Sequence, residues 1–141
     1  MAEPLTLDLD DFDAVGLLTE AIVSLRAHVL INEVEAAATI SAPAGWHRLV
    51  INAKSGGSSV LVVRFNDLSV SRTKNVAAAL HTRGWQLDED REGATSRQAP
   101  GTPATDVAFE VLAALTVAGA PRDARLMQAS DAAGAAIDLH G

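Results

Sequence analysis

The chain has no cysteine and no tyrosine, and its 141 residues include only two tryptophans and three phenylalanines. Without cysteine there can be no disulfide framework and no thiolate metal site, a composition that suits a reducing compartment. With so few aromatic rings, a base-stacking platform for single-stranded nucleic acid has little to be built from. No uninterrupted apolar run approaches the ~20 residues of a membrane-spanning helix. The opening Met1-Ala2-Glu3-Pro4 turns acidic where a secretory signal would be basic and then apolar. The expectation is a cytoplasmic protein, with no nucleic-acid partner and no membrane partner. Lysine is scarce as well, two against nine arginines, and with abundant alanine this composition is the one expected of a GC-rich bacterial genome.

The length fits a single domain, 1–141, large enough to bury a core without covalent staples. The net charge of −7 argues against a polyanionic partner, and its distribution is uneven. Residues 1–35 carry eight acids and one base, residues 36–87 six bases and one acid, and residues 88–141 nine acids and four bases. A basic middle between acidic ends either complements itself within the fold or presents a cationic face to an acidic partner.

Residues 1–10 read as a flexible arm, although Leu5, Leu7 and Leu9 alternate with polar residues as in a short edge strand. From Asp11 to Val29 the spacing of Val15, Leu18, Ile22, Leu25 and Val29 predicts a helix, widened by Leu17, Ala21 and Leu30. Asp10, Asp11 and Asp13 supply its cap. Three strands follow, over 35–41, 46–53 and 59–66. The turns between them are Ala42-Pro43-Ala44-Gly45 and the Gly-rich Lys54-Ser55-Gly56-Gly57-Ser58. A helix over 73–83, capped by Ser71 or Thr73, stops at Gly84 and hands Trp85 back onto its last turn. A polar hairpin, 85–91 and 94–98, turns at Glu92-Gly93 and belongs at an edge. Thr102 and Pro103 open a last helix with Val107, Val111, Leu112 and Leu115 inward and Phe109 adding bulk. Residues 122–141 form a C-terminal extension, with a hairpin around Asp131–Gly134. The expected core includes Val60, Val62, Leu80, Trp85, Val111 and Leu115.

Few signals for chemistry stand out. Asp88, Asp90, Glu92 and Gly93 fall at calcium-loop positions one, three, five and six, but the twelfth position is Ala99 rather than a bidentate glutamate. His28, His47, His81 and His140 are dispersed, with no HExxH spacing, so no metal is expected. There is no Gly-x-Ser-x-Gly elbow, and Gly56-Gly57-Ser58-Ser59 lacks the phosphate-loop lysine. No catalytic residue and no cofactor is expected, and an enzyme with a hidden site ranks last among the functional readings. The candidate partner contacts are Trp46, Arg48, Arg64 and Trp85, chosen for strand location and exposed-looking chemistry. A rival surface is the acidic hairpin Asp88–Glu92, which would engage a basic partner. A basic surface of Arg72, Lys74 and Arg83 is a further alternative.

From Val60 to Pro121 the chain resembles the type III secretion chaperone-like fold, which also houses a bacterial peptide-binding chaperone superfamily. The resemblance rests on a strand ending in Asn66-Asp67, then Leu80-His81-Thr82-Arg83-Gly84-Trp85 closing a short helix. A polar hairpin follows, and after Pro100 a helix ending Val117-Ala118-Gly119-Ala120-Pro121. It implies an α+β fold, an antiparallel sheet flanked by helices in the order α-β-β-β-α-β-β-α plus the C-terminal extension. It also implies a non-catalytic protein, often a homodimer, that binds a peptide or partner protein. An extended segment could join such a sheet by strand addition, and the residues after Pro121 would then cover one edge.

Overall fold

The computed structural model describes residues 5–8, 13–41, 47–65, 69–89, 92–118 and 124–139. Its elements are β1 (Leu5–Asp8), α1 (Ala14–Asn32), β2 (Ala36–Ser41), β3 (His47–Ala53), β4 (Ser59–Phe65), α2 (Val70–Thr82), β5 (Gln86–Leu87), β6 (Gly93–Gln98), α3 (Ala104–Ala118), β7 (Ala124–Asp131) and β8 (Ala136–Ile137). The chain is an α+β protein, three helices against one antiparallel sheet of eight strands. The strands run β1-β7-β2-β3-β4-β6-β5, and β8 lies end to end with β1 along the same side of β7.

The helices share one face of the sheet: α1 lies over β1, β2 and β3, α3 over β3 and β4, and α2 over β5 and β6. Beneath them alternate residues of each strand are enclosed: Ala38 and Ile40, Leu49 and Ile51, Leu61, Val63 and Phe65, with Met127 of β7. Each fully buried aliphatic side chain of this kind contributes about 1.5–3 kcal/mol relative to exposure. The register decides which residues these are, and on β4 it departs from the sequence expectation. Val60 and Val62 lie on the opposite, helix-free face, while Leu61, Val63 and Phe65 point into the core. The run Val60–Val63 is apolar at both parities and carries no phase of its own; Arg64, of the same parity as Val60 and Val62, marks the outward set. The bulkier set goes under the helices. Leu80, Trp85, Val111 and Leu115 are buried as expected.

The arm expected at 1–10 is, over its described residues, a strand. Leu5 and Leu7 are buried, and β1 pairs with β7 from Leu5↔Met127 to Asp8↔Ala124. The C-terminal extension is, over its described residues, integral to the sheet: β7 sits between β1 and β2 and pairs with all of β2, from Ala36↔Asp131 to Ser41↔Leu126. Its closing turn is fastened to α1. His28 Nε2 lies 2.9 Å from Asp131 Oδ2, and the backbone amides of Ala133 and Ala135 donate to Asp131 Oδ1. The His28 hydrogen bond, helped by those amides, holds the Asp131 carboxyl below its ordinary value.

α1 has the predicted length but lies three residues further along the chain, and it ends at Glu33, which adopts a left-handed conformation at φ 54°. By length and composition it is apolar enough to cross a membrane, although no unbroken apolar run shows it. Leu18, Ala21, Ile22, Leu25 and Val29 pack into the core, whereas Leu30, expected to widen that stripe, is exposed together with Val23 and Ile31. On α3, Phe109 is likewise exposed. α2 begins three residues before the predicted start, and its cap is Ser69 rather than Ser71 or Thr73: Arg72 N donates to Ser69 Oγ at 3.2 Å. It ends as expected. Gly84, at φ 91°, allows Trp85 N to reach Leu80 O at 3.0 Å and Gly84 N to reach His81 O at 3.0 Å.

Candidate partner-binding face of the sheet

Strand alternation that buries Leu49, Ile51, Leu61 and Val63 must present Arg48, Val50, Asn52, Val60, Val62 and Arg64 on the other side. Among the described residues no helix packs on that side. The register assembles it into rows. Ser41, Arg48, Arg64 and Gly93 lie across from one another in one row, with Leu126 beyond Ser41. Thr39, Val50, Val62 and Thr95 form the next, and Ala37, Asn52, Val60 and Arg97 the third. The result is a half-buried patch of valine and threonine between two cationic rows. Those rows are about 13 Å apart, four residues at strand rise.

The Arg48 and Arg64 pair is the unusual feature. Like charges directly opposite one another on a sheet repel. Arg64 is compensated: its Nη1 donates to Asp88 Oδ2 at 2.7 Å, from the turn after β5. Gly93 makes room for that bond, because a Cβ there would lie 2.5 Å from Asp88 Oδ2 and 2.9 Å from Arg64 Cδ. Arg48 is exposed, and no ion-pair partner is found for it among the described residues. Beside β5 a shallow cleft of about 360 Å³, lined by Gln86, Asp88, Glu89, Thr95 and Arg97, continues this face to the sheet edge.

Of the four expected contacts, Arg48 and Arg64 are brought together on this face. Trp46 lies outside the described residues. Trp85, which the sequence assigns both to the core and to the contact set, is a core residue with 1% of its surface exposed. Its indole Nε1 donates to Glu110 Oε1 at 2.6 Å, and the same carboxylate receives Arg83 Nε at 3.2 Å and Nη2 at 3.0 Å. This clamp ties the end of α2 to α3. It also removes Arg83 from the suggested basic surface. Burial pushes the Glu110 carboxyl up, but the hydrogen bonds from Arg83 and Trp85 and the Arg83 charge outweigh it and leave it below its ordinary value. The partner carboxylate in turn raises Arg83 further.

The sequence reading missed Val50, Val62, Thr39 and Gly93 as parts of one surface. The signal available was the phase of β3, where Arg48, Val50 and Asn52 alternate with Leu49 and Ile51; the assignment of β4 follows through pairing with it. In the acidic hairpin Asp88 is held by Arg64, while Glu89 and Glu92 are exposed, and Asp90 lies outside the described residues. Among the histidines, His28 is engaged with Asp131, His81 is exposed, the side chain of His47 is not described, and His140 lies outside the described residues. Among the described residues no three histidine, aspartate or glutamate side chains gather as a metal site. No protein-family model matches the chain, and no curated protein and no solved structure matches it.

Proposed function

We propose that this is a non-catalytic binding protein of the chaperone-like class that the sequence resembles, and that the helix-free sheet face holds an extended, acidic segment of a peptide or partner protein. The observation that carries the reading is Arg48 directly opposite Arg64, with one of the two guanidinium groups uncompensated among the described residues. A carboxylate from a partner relieves that repulsion, while Val50, Val60, Val62 and Leu126 offer apolar contact beside it. Arg97, two rows away, suits a second acidic group four residues further along an extended chain. The order of strands and helices from β2 to α3 supports the finer reading of the fold. It also limits the mode of binding: the edge of β2 is taken by β7, so a ligand lies on the face rather than extending that edge. The homodimer implied by the resemblance would use the exposed Val23 and Ile31 of α1.

The test is fluorescence anisotropy with labelled extended peptides in which two glutamates flank a Val-Thr-Val centre, against the same peptides with lysine in place of glutamate. The glutamate peptide binds, weakens as salt is added, and loses roughly tenfold or more in affinity on Arg48→Glu. Equal binding of both peptides, or undiminished binding by Arg48→Glu, sinks the proposal. Preference for the lysine peptide transfers the role to the acidic hairpin.

A further inference from the structure

On the helix side of the molecule, the last turns of α1 and the β3–β4 turn enclose a cleft of about 540 Å³. Val29, Leu30 and Ala53 give it apolar walls, Gly56 and Gly57 a floor without side chains, and Arg26 its one cation besides Lys54. Lys54 is already engaged, with Nζ 3.7 Å from Glu35 Oε1, and Ser55 N donates to the other oxygen of that carboxylate. Arg26 is different. Its Nε and Nη2 are both covered by protein and have no hydrogen-bond partner among the described residues. A guanidinium stays charged at any working pH, so burying two of its donors without an acceptor is costly.

The same molecule shows what that edge of an arginine is suited to. Arg83 uses the identical pair of nitrogens, Nε and Nη2, to grip both oxygens of Glu110. Side-on pairing with a carboxylate satisfies both donors at once. We infer that Arg26 anchors a second binding site, which takes a single carboxylate carried on an apolar body. Neither Nε nor Nη2 makes a bond that turning the guanidinium towards the cleft would break. Val29, Leu30 and Ala53 then cover the apolar part of the ligand. Glu33, exposed at the rim, repels the incoming carboxylate, and this favours ligands with one negative charge over those with several. A free aliphatic acid and the C-terminal carboxylate of a peptide share this chemistry. The site lies across the sheet from the Arg48–Arg64 row and does not depend on the role proposed for that face.

The test is an NMR titration of the full chain with octanoate, following the arginine Nε–Hε signals. The Arg26 signal shifts saturably and that of Arg83 does not, while octanol, with the same body and no carboxylate, produces no such shift. Arg26→Lys keeps the charge but loses the fork, and weakens octanoate binding by roughly tenfold. Arg48→Glu leaves the titration unchanged, which separates failure here from failure of the sheet-face proposal. An apolar tripeptide with a free C-terminus, compared with its amide, distinguishes the sources. Tighter binding of the free tripeptide than of octanoate points to a peptide terminus, and the reverse order points to a free acid. The inference is overturned by the lack of a saturable Arg26 shift up to about 10 mM, by equal effects of octanol, or by unchanged affinity in Arg26→Lys. If that variant fails to fold, the wild-type Arg26 signal decides alone.

Discussion

On β4, Leu61, Val63 and Phe65 are enclosed beneath the helices, while their chain neighbours Val60, Val62 and Arg64 lie half-buried on the other side. The two faces are drawn from similar residue types, yet one is closed by three helices and the other, over the described residues, is not. The polar anchors differ in the same way. On the helix side, Glu110 receives three hydrogen bonds from Arg83 and Trp85, and its side chain is largely covered. On the open side, Arg64 and Asp88 share a single short contact with both side chains partly in water. One face is organised for stability. The other carries Arg48, a cation with no ion-pair partner among the described residues.

Paired substitutions on β4 break this comparison most directly. Leu61→Ala removes a fully enclosed side chain and costs about 2–5 kcal/mol. Val62→Ala, on the open face, costs about 1 kcal/mol or less. Denaturant midpoints at unchanged m-value measure the difference, and equal costs would mean that the faces are not distinct.

The second contrast is between the two anchors. Glu110→Gln costs about 1–3 kcal/mol at neutral pH, because two charge-assisted bonds and the indole contact lose their anion. Asp88→Asn costs about 1 kcal/mol at most, since its ion pair is open to solvent. The folded state holds Glu110 below its ordinary value, so its contribution is complete above the unfolded-state value. It is lost as pH falls through the lowered one. Wild type and Glu110→Gln therefore converge in acid-unfolding curves, and a gap that persists below the carboxylate range would contradict the assigned cause.

The smallest effect has the opposite sign. Arg48→Thr relieves the repulsion with Arg64 and suits a strand, raising stability by a few tenths of a kcal/mol. A clear loss of stability would show that Arg48 contributes to holding the fold.

Much of the element order was legible because its signals are local. The stripe of Leu18, Ile22, Leu25 and Val29, the Gly-rich turn at 54–58, and Gly84 with Trp85 each act within a few residues. The cap of α2 was misplaced by two residues or more because several hydroxyl residues compete there, and only geometry selects Ser69. The candidate face was half legible. Arg48 and Arg64 were singled out from strand position, but Trp85 was placed in both core and contact set. Its indole lies with the helices because Glu110, 25 residues on, waits there.

The sequence by itself determined the three helices, most of the strands and the stop at Gly84, because helix periodicity, caps and turn residues act over short distances. It also singled out the arginines of β3 and β4. Only the tertiary structure decided which side of the run Val60–Val63 is inward, since a segment apolar on both sides takes its inward face from what packs on it. Tertiary contacts also placed β7 between β1 and β2, a pairing of segments more than a hundred residues apart in the case of β1. They left Arg26 covered while giving Arg83 its carboxylate, because which guanidinium finds a partner depends on elements distant in the chain.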